Sequence, residues 1–406
     1  MPRVITPERG KIGNGQEAQY VILVATPPQK QHTMPPSLEE FTQWESLAGY
    51  RQLWNDLLAQ TPGAQFFQSW DWLDAYWRSY RADQQLRVFL GWEGGRLRGI
   101  LPMVIRSEKT RIGRVRVLGY PLDDWGSFYG PIGPEPAQTL QAVLDYLRSG
   151  PAEWDLLELR WISPEDEAAG WTRQALAGAG LKAIRTLWDQ TAVVDLADGQ
   201  AGWQRYVASR SAKWRGNLRR AEKKLAALGP VEYVRYRPLG QSAGQDDPRW
   251  DLYEACYRIA ERSWQARSET GTTLCHSQAR EFLRQVHEGA ARLGAVDINL
   301  LYVGGQPAAF LYNYVWQGQV YGLRRGFDPQ VAPQGAGNVL LAWALRDSFL
   351  RNDRLYDLGV GYLETKRAWM TRLVPIYRYS YVPPGRLRMV LIRWKRRWQA
   401  WRTGCR

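Results

Sequence analysis

The chain is poor in the residues that serve redox and metal chemistry. Among 406 residues there are three cysteines (Cys256, Cys275, Cys405), three histidines (His32, His276, His287) and five methionines. The cysteines lack metal-ligand spacing and are too few for a disulfide framework, which fits a reducing, cytoplasmic setting. Cys256 and Cys275 have no sequence neighbour that marks a nucleophile, and both read as buried or incidental. His32 falls in the N-terminal segment and the other two near the early helices of the second half, so a histidine-driven mechanism is not expected. No metal is expected either. Long apolar runs are also missing. Tyr20–Ala25, among the longest near the N-terminus, is too short to span a bilayer. No charged segment leads into an apolar one, so no secretory signal is expected. Residues 1–37 are rich in proline, glycine and glutamine and read as a disordered tail. Organised patterning begins just after Met34, which makes Met34 a candidate start.

What is present points to a globular chain of two domains: 45% hydrophobic, 23% charged, with ample apolar area for a core. The net charge of +14 is uneven. Trp203–Lys224 holds eight Lys/Arg against one Glu, and Arg386–Arg406 holds eight Lys/Arg and no acid, which leaves −1 for everything else. The basicity belongs to two local devices and does not describe a general nucleic-acid-binding surface.

The most informative run is Val296 to Val382. VDINLLYV, QPAAFLYNYVW and QVYGLRRGF read as three closely spaced strands. A glycine-rich turn follows at Pro333 to Asn338, then an apolar helix (VLLAWALRDSFL), a strand (RLYDLGVG) and a short helix (ETKRAWM). The first half has the same order. Two helices (SLAGYRQLWNDLLAQ, WDWLDAYWRSY) precede a hairpin turning at Gly94-Gly95 and a third strand, RVRVLGY. Helix, strand, helix and a closing strand, TAVVDL, complete it. In the second half the hairpin turns at Gly304-Gly305 and YRYSYV closes. The expected layout is a first unit over 38–196, a basic linker helix over 197–230, a second unit over 231–382 and a basic tail helix over 383–406. In the linker, Trp214, Leu218, Ala221, Leu225 and Leu228 form one apolar stripe, with Lys213, Arg215, Arg219, Arg220, Lys223 and Lys224 largely off it. Two readings stand: a packed helix with a solvated basic face, or a basic face lining a cleft for a phosphorylated donor or acceptor.

This order resembles the GNAT acyltransferase fold. Two copies in tandem resemble its FemAB-like branch, and specifically the CelD-like proteins of cellulose and exopolysaccharide biosynthesis. FFQSWDWLDAYW (66–77), SRSAKWRGNLRRAEKKL (209–225) and YDLGVGYLETKRAWM (356–370) carry the likeness, which covers roughly 45–382. It implies an α/β (α+β) fold of tandem GNAT-like domains, each a mixed, mostly antiparallel sheet flanked by helices. It also implies acetyl-CoA or a longer acyl-CoA as co-substrate, an amine or hydroxyl acceptor, and no permanently bound cofactor. In the usual cofactor loop, Arg/Gln-x-x-Gly-x-Gly/Ala, Gly335 and Gly337 match, whereas Ala332 stands where Arg or Gln is usual. The first half has no Gly-x-Gly at the equivalent turn, so a single donor site is expected, in the second unit.

Residue chemistry refines these expectations. Gly335, Ala336, Gly337 and Asn338 form a candidate phosphate cradle, because glycine admits an oxyanion and the following helix aims its positive end there; an ordinary tight turn is the alternative. Arg324 and Arg325 end the preceding strand and are candidate phosphate contacts, or a surface pair. Acyl transfer to an amine needs a proton acceptor and a donor for the developing oxyanion. Asp357, Tyr362 and Lys366 are the candidates, with local capping as the alternative for Asp357. Asp123, Asp124, Trp125 and Tyr129 share a loop whose carboxylates and rings suit a sugar or amino sugar, against loop filler around a buried tryptophan. Most of the 21 tryptophans belong in cores; Trp316 is the one expected to meet an acceptor. In the tail, Leu387, Leu391, Trp394, Trp398 and Trp401 make a second stripe amid arginines and lysine. That pattern suits a helix lying on the anionic inner membrane surface, or one packed on its own domain.

The expected activity is transfer of an acyl group to a sugar or to an exopolysaccharide or envelope precursor, by an enzyme that is cytoplasmic or peripheral at the inner membrane. Aminoacyl transfer from aminoacyl-tRNA, gripped by the basic linker, is the alternative, and the one reading in which nucleic acid is a partner. A non-catalytic accessory of a polysaccharide synthase is the third.

Overall fold

The computed structural model describes residues 37–121, 126–268, 273–386 and 389–402. The tail expected over 1–37 therefore lies outside the described residues, save Ser37. The first unit runs β1 (Ser37–Phe41), α1 (Arg51–Ala59), α2 (Trp70–Tyr80), β2 (Gln84–Glu93), β3 (Arg96–Thr110), β4 (Gly113–Gly119), α3 (Pro136–Ser149), β5 (Leu156–Ile162), α4 (Pro164–Ala169), α5 (Trp171–Gly178) and β6 (Ile184–Asp195). Two connecting helices follow, α6 (Gly199–Ser209) and α7 (Ala212–Ala226). The second unit runs β7 (Val231–Tyr236), α8 (Trp250–Arg262), α9 (Arg280–Arg292), β8 (Val296–Val303), β9 (Gln306–Trp316), β10 (Gln319–Phe327), α10 (Ala336–Leu350), β11 (Leu355–Val360), α11 (Leu363–Lys366) and β12 (Arg372–Tyr381). Helix α12 (Val390–Arg402) comes last.

The two units repeat one order of elements, and both hairpins turn through glycine pairs with positive φ: 56° and 74° at Gly94-Gly95, 57° and 73° at Gly304-Gly305. A two-residue turn with both residues left-handed matches the twist of its flanking strands, and glycine adopts it without strain. The short strands β1 and β7, which pair with β2 and β8, were not expected from sequence. Half-polar segments such as SLEEF carry little alternation. The single linker helix expected over 197–230 is two helices. Arg210 and Ser211 are extended, and the Ser211 hydroxyl accepts from the Trp214 N–H to start α7 afresh.

Among the described residues all strands join one mixed α/β sheet, mostly antiparallel, in the order β1-β2-β3-β4-β5-β12-β6-β11-β10-β9-β8-β7. The closing strands are exchanged. β12, from the second unit, pairs with β5 of the first, while β6, from the first, pairs with β11 of the second. The largest core also crosses between units. Trp72 packs its ring against Phe282 of α9, at 5.4 Å between centroids, and Phe66 packs against Tyr314 of β9 at 4.6 Å. At the rim of this seam, Asp71 takes an ion pair from Arg292, at 2.8 Å. Burial of large rings explains the tryptophan-rich motif at 66–77 as a joint between units. Among the described residues no helix is long and apolar enough to cross a membrane.

Candidate active site

The second unit opens a cleft where its sheet splits. β10 and β11 run parallel and pair only between Gln319–Tyr321 and Leu355–Asp357. β10 then slips its register against β9 between Gly322 and Arg324, and β11 slips against β6 between Asp357 and Val360. Gly322 sits at the fork. A Cβ there would lie 2.7 Å from the Asp357 carbonyl oxygen, so glycine is what lets the strands touch before they part. Beyond the fork lies a cavity of about 540 Å³, walled by Leu323 and Arg324 on one side and Leu358 and Val360 on the other. Parting strands form a wedge and leave backbone groups without ladder partners, and side chains take the place of some of them: the Gln265 amide donates to the Arg325 carbonyl at 2.9 Å, and the Gly359 N–H donates to the Asp357 carboxylate at 2.7 Å.

A second cavity, about 570 Å³, adjoins it at the start of α10. Arg325, Phe327, Thr365 and Trp369 wall both, so the two make one cleft. Gly335 caps α10 at φ 88°, a conformation costly for any other residue. The N–H groups of Ala336 and Gly337 head the helix, where no helical carbonyl reaches them. Gly337 and Asn338 line the cavity, with Ala336 buried beneath. An anion fits here on both counts, free donors and the positive end of the helix dipole.

Lys366 lies on the cavity wall at the fork. Its Nζ donates to the carbonyls of Gly359 and Val360, at 2.8 Å each, the groups freed as β11 leaves β10. Burial pushes its amine down from an ordinary value of 10.5 to about 8, against the pull of the nearby Asp357 charge. A neutral amine keeps two N–H donors for those two carbonyls and gains a lone pair. The site is thus built to hold either protonation state near neutral pH.

The other expected residues divide. Arg324 and Arg325 wall the first cavity, and Tyr362 stands at its mouth, 81% exposed. Asp357 does not line it. The carboxylate of Asp357 is buried, which raises its pKa, and it accepts from the Thr191 hydroxyl and from the Gly359 N–H at 2.7 Å. It braces β11 against β6, behind Lys366. Tyr129 is buried in the first unit's core, and Trp316 is half-buried at the far end of β9; neither lines the cleft. Asp123, Asp124 and Trp125 lie outside the described residues. In the first unit β4 and β5 also pair in parallel, over Val117–Leu118, and the segment of Phe128 and Tyr129 lies against the end of β5: the Tyr129 N–H donates to the Trp161 carbonyl at 3.3 Å and the Phe128 ring meets that of Trp161 edge-on. His287 is a core residue: Nε2 lies 2.6 Å from the Pro248 carbonyl, Nδ1 lies 2.9 Å from the Tyr312 hydroxyl, and burial lowers its pKa to about 4. Burial raises the thiol of Cys256, and of Cys275 less completely, so neither is poised as a thiolate.

Sequence reasoning missed Tyr356 and Asn313. The Asn313 amide donates to the Tyr356 hydroxyl and to Asp297, at 3.0 Å each, and Asp297 is held by Arg235 and Arg237. Burial raises the Tyr356 phenol, which stays protonated on the cavity wall. The one available signal was an asparagine in an otherwise apolar and aromatic strand. The linker's part was also partly hidden. Its apolar stripe reaches the second cavity through Trp214, Leu218 and Ala221, while Lys213, Arg219, Arg220, Lys223 and Lys224 face solvent. Trp214 packs edge-on against Trp369 at 5.0 Å, the Tyr206 hydroxyl donates to the Trp369 carbonyl at 2.6 Å, and Arg210 donates to the Met370 carbonyl at 2.9 Å. α6 and α7 therefore clamp the loop that carries Lys366.

Comparison with known proteins bears on the fold. Residues 212–367 match the family model described as acetyltransferase (GNAT) domain. No curated protein matches the chain. Among solved structures, FemX superposes with a TM-score of 0.55 at 10% identity, covering 87% of this chain and 99% of its own. The C-terminal domain of a putative lysylphosphatidylglycerol synthetase from Agrobacterium fabrum gives 0.49 at 12%, covering 85% and 95%. A tandem GNAT protein from the clavulanic acid biosynthesis pathway gives 0.41 at 12%, covering 86% and 100%. Residues 212–367 thus match the acetyltransferase (GNAT) domain, within a chain whose overall fold resembles that of FemX.

Proposed function

We propose that the protein is an acyltransferase that moves an acyl group from acyl-CoA to an amine or hydroxyl of a sugar or envelope-polymer precursor. One observation carries this reading: a single cleft joins an anion-binding helix start to a split pair of strands with Lys366 at the fork. A CoA-like donor has those parts in that order, with phosphates at one end, an amide-bearing arm, and a thioester at the other. The N–H groups of Ala336 and Gly337, with Arg325, take the phosphates; the wedge takes the arm. The acceptor attacks the thioester carbonyl carbon. As that bond forms and the C–S bond breaks, Lys366 in its neutral form takes the acceptor's proton, and Tyr356 is the candidate to protonate the departing sulfur. Tyr362 and the exposed Trp264, at the cavity mouth, offer ring faces to a sugar. The CelD-like, exopolysaccharide part of the reading rests on the three sequence motifs, and the cytoplasmic setting on the paucity of cysteine.

Calorimetry with acetyl-CoA and longer acyl-CoAs, on the wild type and Gly337→Trp, tests the donor. Tight binding that the variant loses supports the proposal; no binding by any acyl-CoA removes it. A second reading, aminoacyl transfer from tRNA, draws on the exposed cations of α7. It requires RNA binding that falls steeply with salt, because many backbone phosphates are neutralised at once.

A further inference from the structure

Helix α12 is held to the sheet by one face and leaves the other bare. Met389 and Ile392 pack with Val115, Val117 and Leu156 in a small core of their own. Arg396 donates to the buried carboxylate of Glu158 at 2.7 Å, and Arg378 donates to Gln399 at 3.1 Å. Burial pushes Glu158 up, but Arg396, Arg160 and Arg378 outweigh it and hold the carboxyl down at about 2, so this attachment stays ionic. The register of α12 on the sheet is thereby set.

The opposite face carries Leu391, Trp394, Trp398 and Trp401, which are 67%, 65%, 53% and 64% exposed. At 100° per residue these four fall within an arc of about 80°. Arg393 and Arg397 flank the arc on one side, Lys395 and Arg402 on the other, and no acid lies between Arg386 and Arg406. The Arg402 guanidinium sits over the Trp398 ring, 4.8 Å from its centroid. A row of indoles this exposed is costly in water unless something covers it.

We infer that this face of α12 docks the protein on an anionic lipid bilayer, with the helix in the plane of the surface. Indole is favoured at the membrane interface, where its apolar body enters the acyl boundary and its N–H stays among headgroups. Cations on both flanks meet lipid phosphates on both sides of the helix axis, as an in-plane helix requires. A second copy is a poor occupant, since two such faces brought together would oppose the same four cations. The inference is independent of the acyl donor and of the cleft.

Flotation of the full chain with vesicles tests it. Wild type is expected to float with phosphatidylglycerol vesicles, and about tenfold or more weakly with phosphatidylcholine or in high salt. The variant W394Q/W398Q/W401Q is expected to stay at the bottom of the gradient with an unchanged circular-dichroism melt, because these rings touch no core. R393Q/K395Q/R397Q is expected to lose the preference for the anionic lipid. Absence of wild-type flotation overturns the inference, as does equal flotation of the tryptophan variant. A dimer in sedimentation that only the tryptophan variant loses, without vesicle binding by the wild type, overturns it in favour of self-association.

Discussion

Lys366 and Asp357 lie nine residues apart in the chain and have different tasks. Lys366 faces the cleft with both carbonyl partners satisfied in either charge state; Asp357 lies behind it and raises its pKa. If Lys366 is the proton acceptor, kcat/KM rises with pH through about 8, because the base form appears as the amine deprotonates. Lys366→Met should cost about 100-fold or more and flatten that limb. Asp357→Asn removes the charge that holds the amine up, so the limb should move to lower pH while persisting. A limb abolished by Asp357→Asn but kept by Lys366→Met would reverse the two roles. The sequence made both residues visible as candidates. It could not say which one faces the ligand, because Asp357 lies on β11 and Lys366 on α11, and which of the two lines the cavity depends on how those elements pack.

Helices and strands explain why the candidate motifs cluster. The motif at 209–225 and that at 356–370 meet through Trp214 and Trp369, so the linker positions the loop of Lys366. Trp214→Ala should lower kcat more than it raises KM for the donor, a split readable from steady-state kinetics. The motif at 66–77 serves elsewhere, as the joint between units. Trp72 is fully buried among rings from both, and Trp72→Ala should destabilise the protein by about 3–5 kcal/mol in urea unfolding. A loss below about 1 kcal/mol would show the seam to be weakly coupled. Helix periods and glycine turns were readable one element at a time. The break at Arg210-Ser211 and the edge strands β1 and β7 were not, since short polar segments take their form from the partners they find.

Across the whole molecule, the exchange of β6 and β12 binds the two units into one sheet. Residues 37–230 alone leave β5 without its neighbour β12, and residues 231–402 alone leave β11 without β6. Neither fragment is expected to give a cooperative thermal transition, whereas the two refolded together should regain one. A sharp transition from either fragment by itself would mean that each unit closes its own sheet. The sequence alone determined the order of the main strands and helices between the edge strands, its duplication, the glycine-rich helix start and the confinement of charge to two segments, because periodicity, turn chemistry and composition are local properties. Only the tertiary structure decided that the closing strands cross over, that the second unit opens a cleft where β10 and β11 part, and that Asp357 braces rather than faces that cleft. Each of these depends on which distant segment packs beside which, and a strand pairs by backbone groups that every residue carries alike.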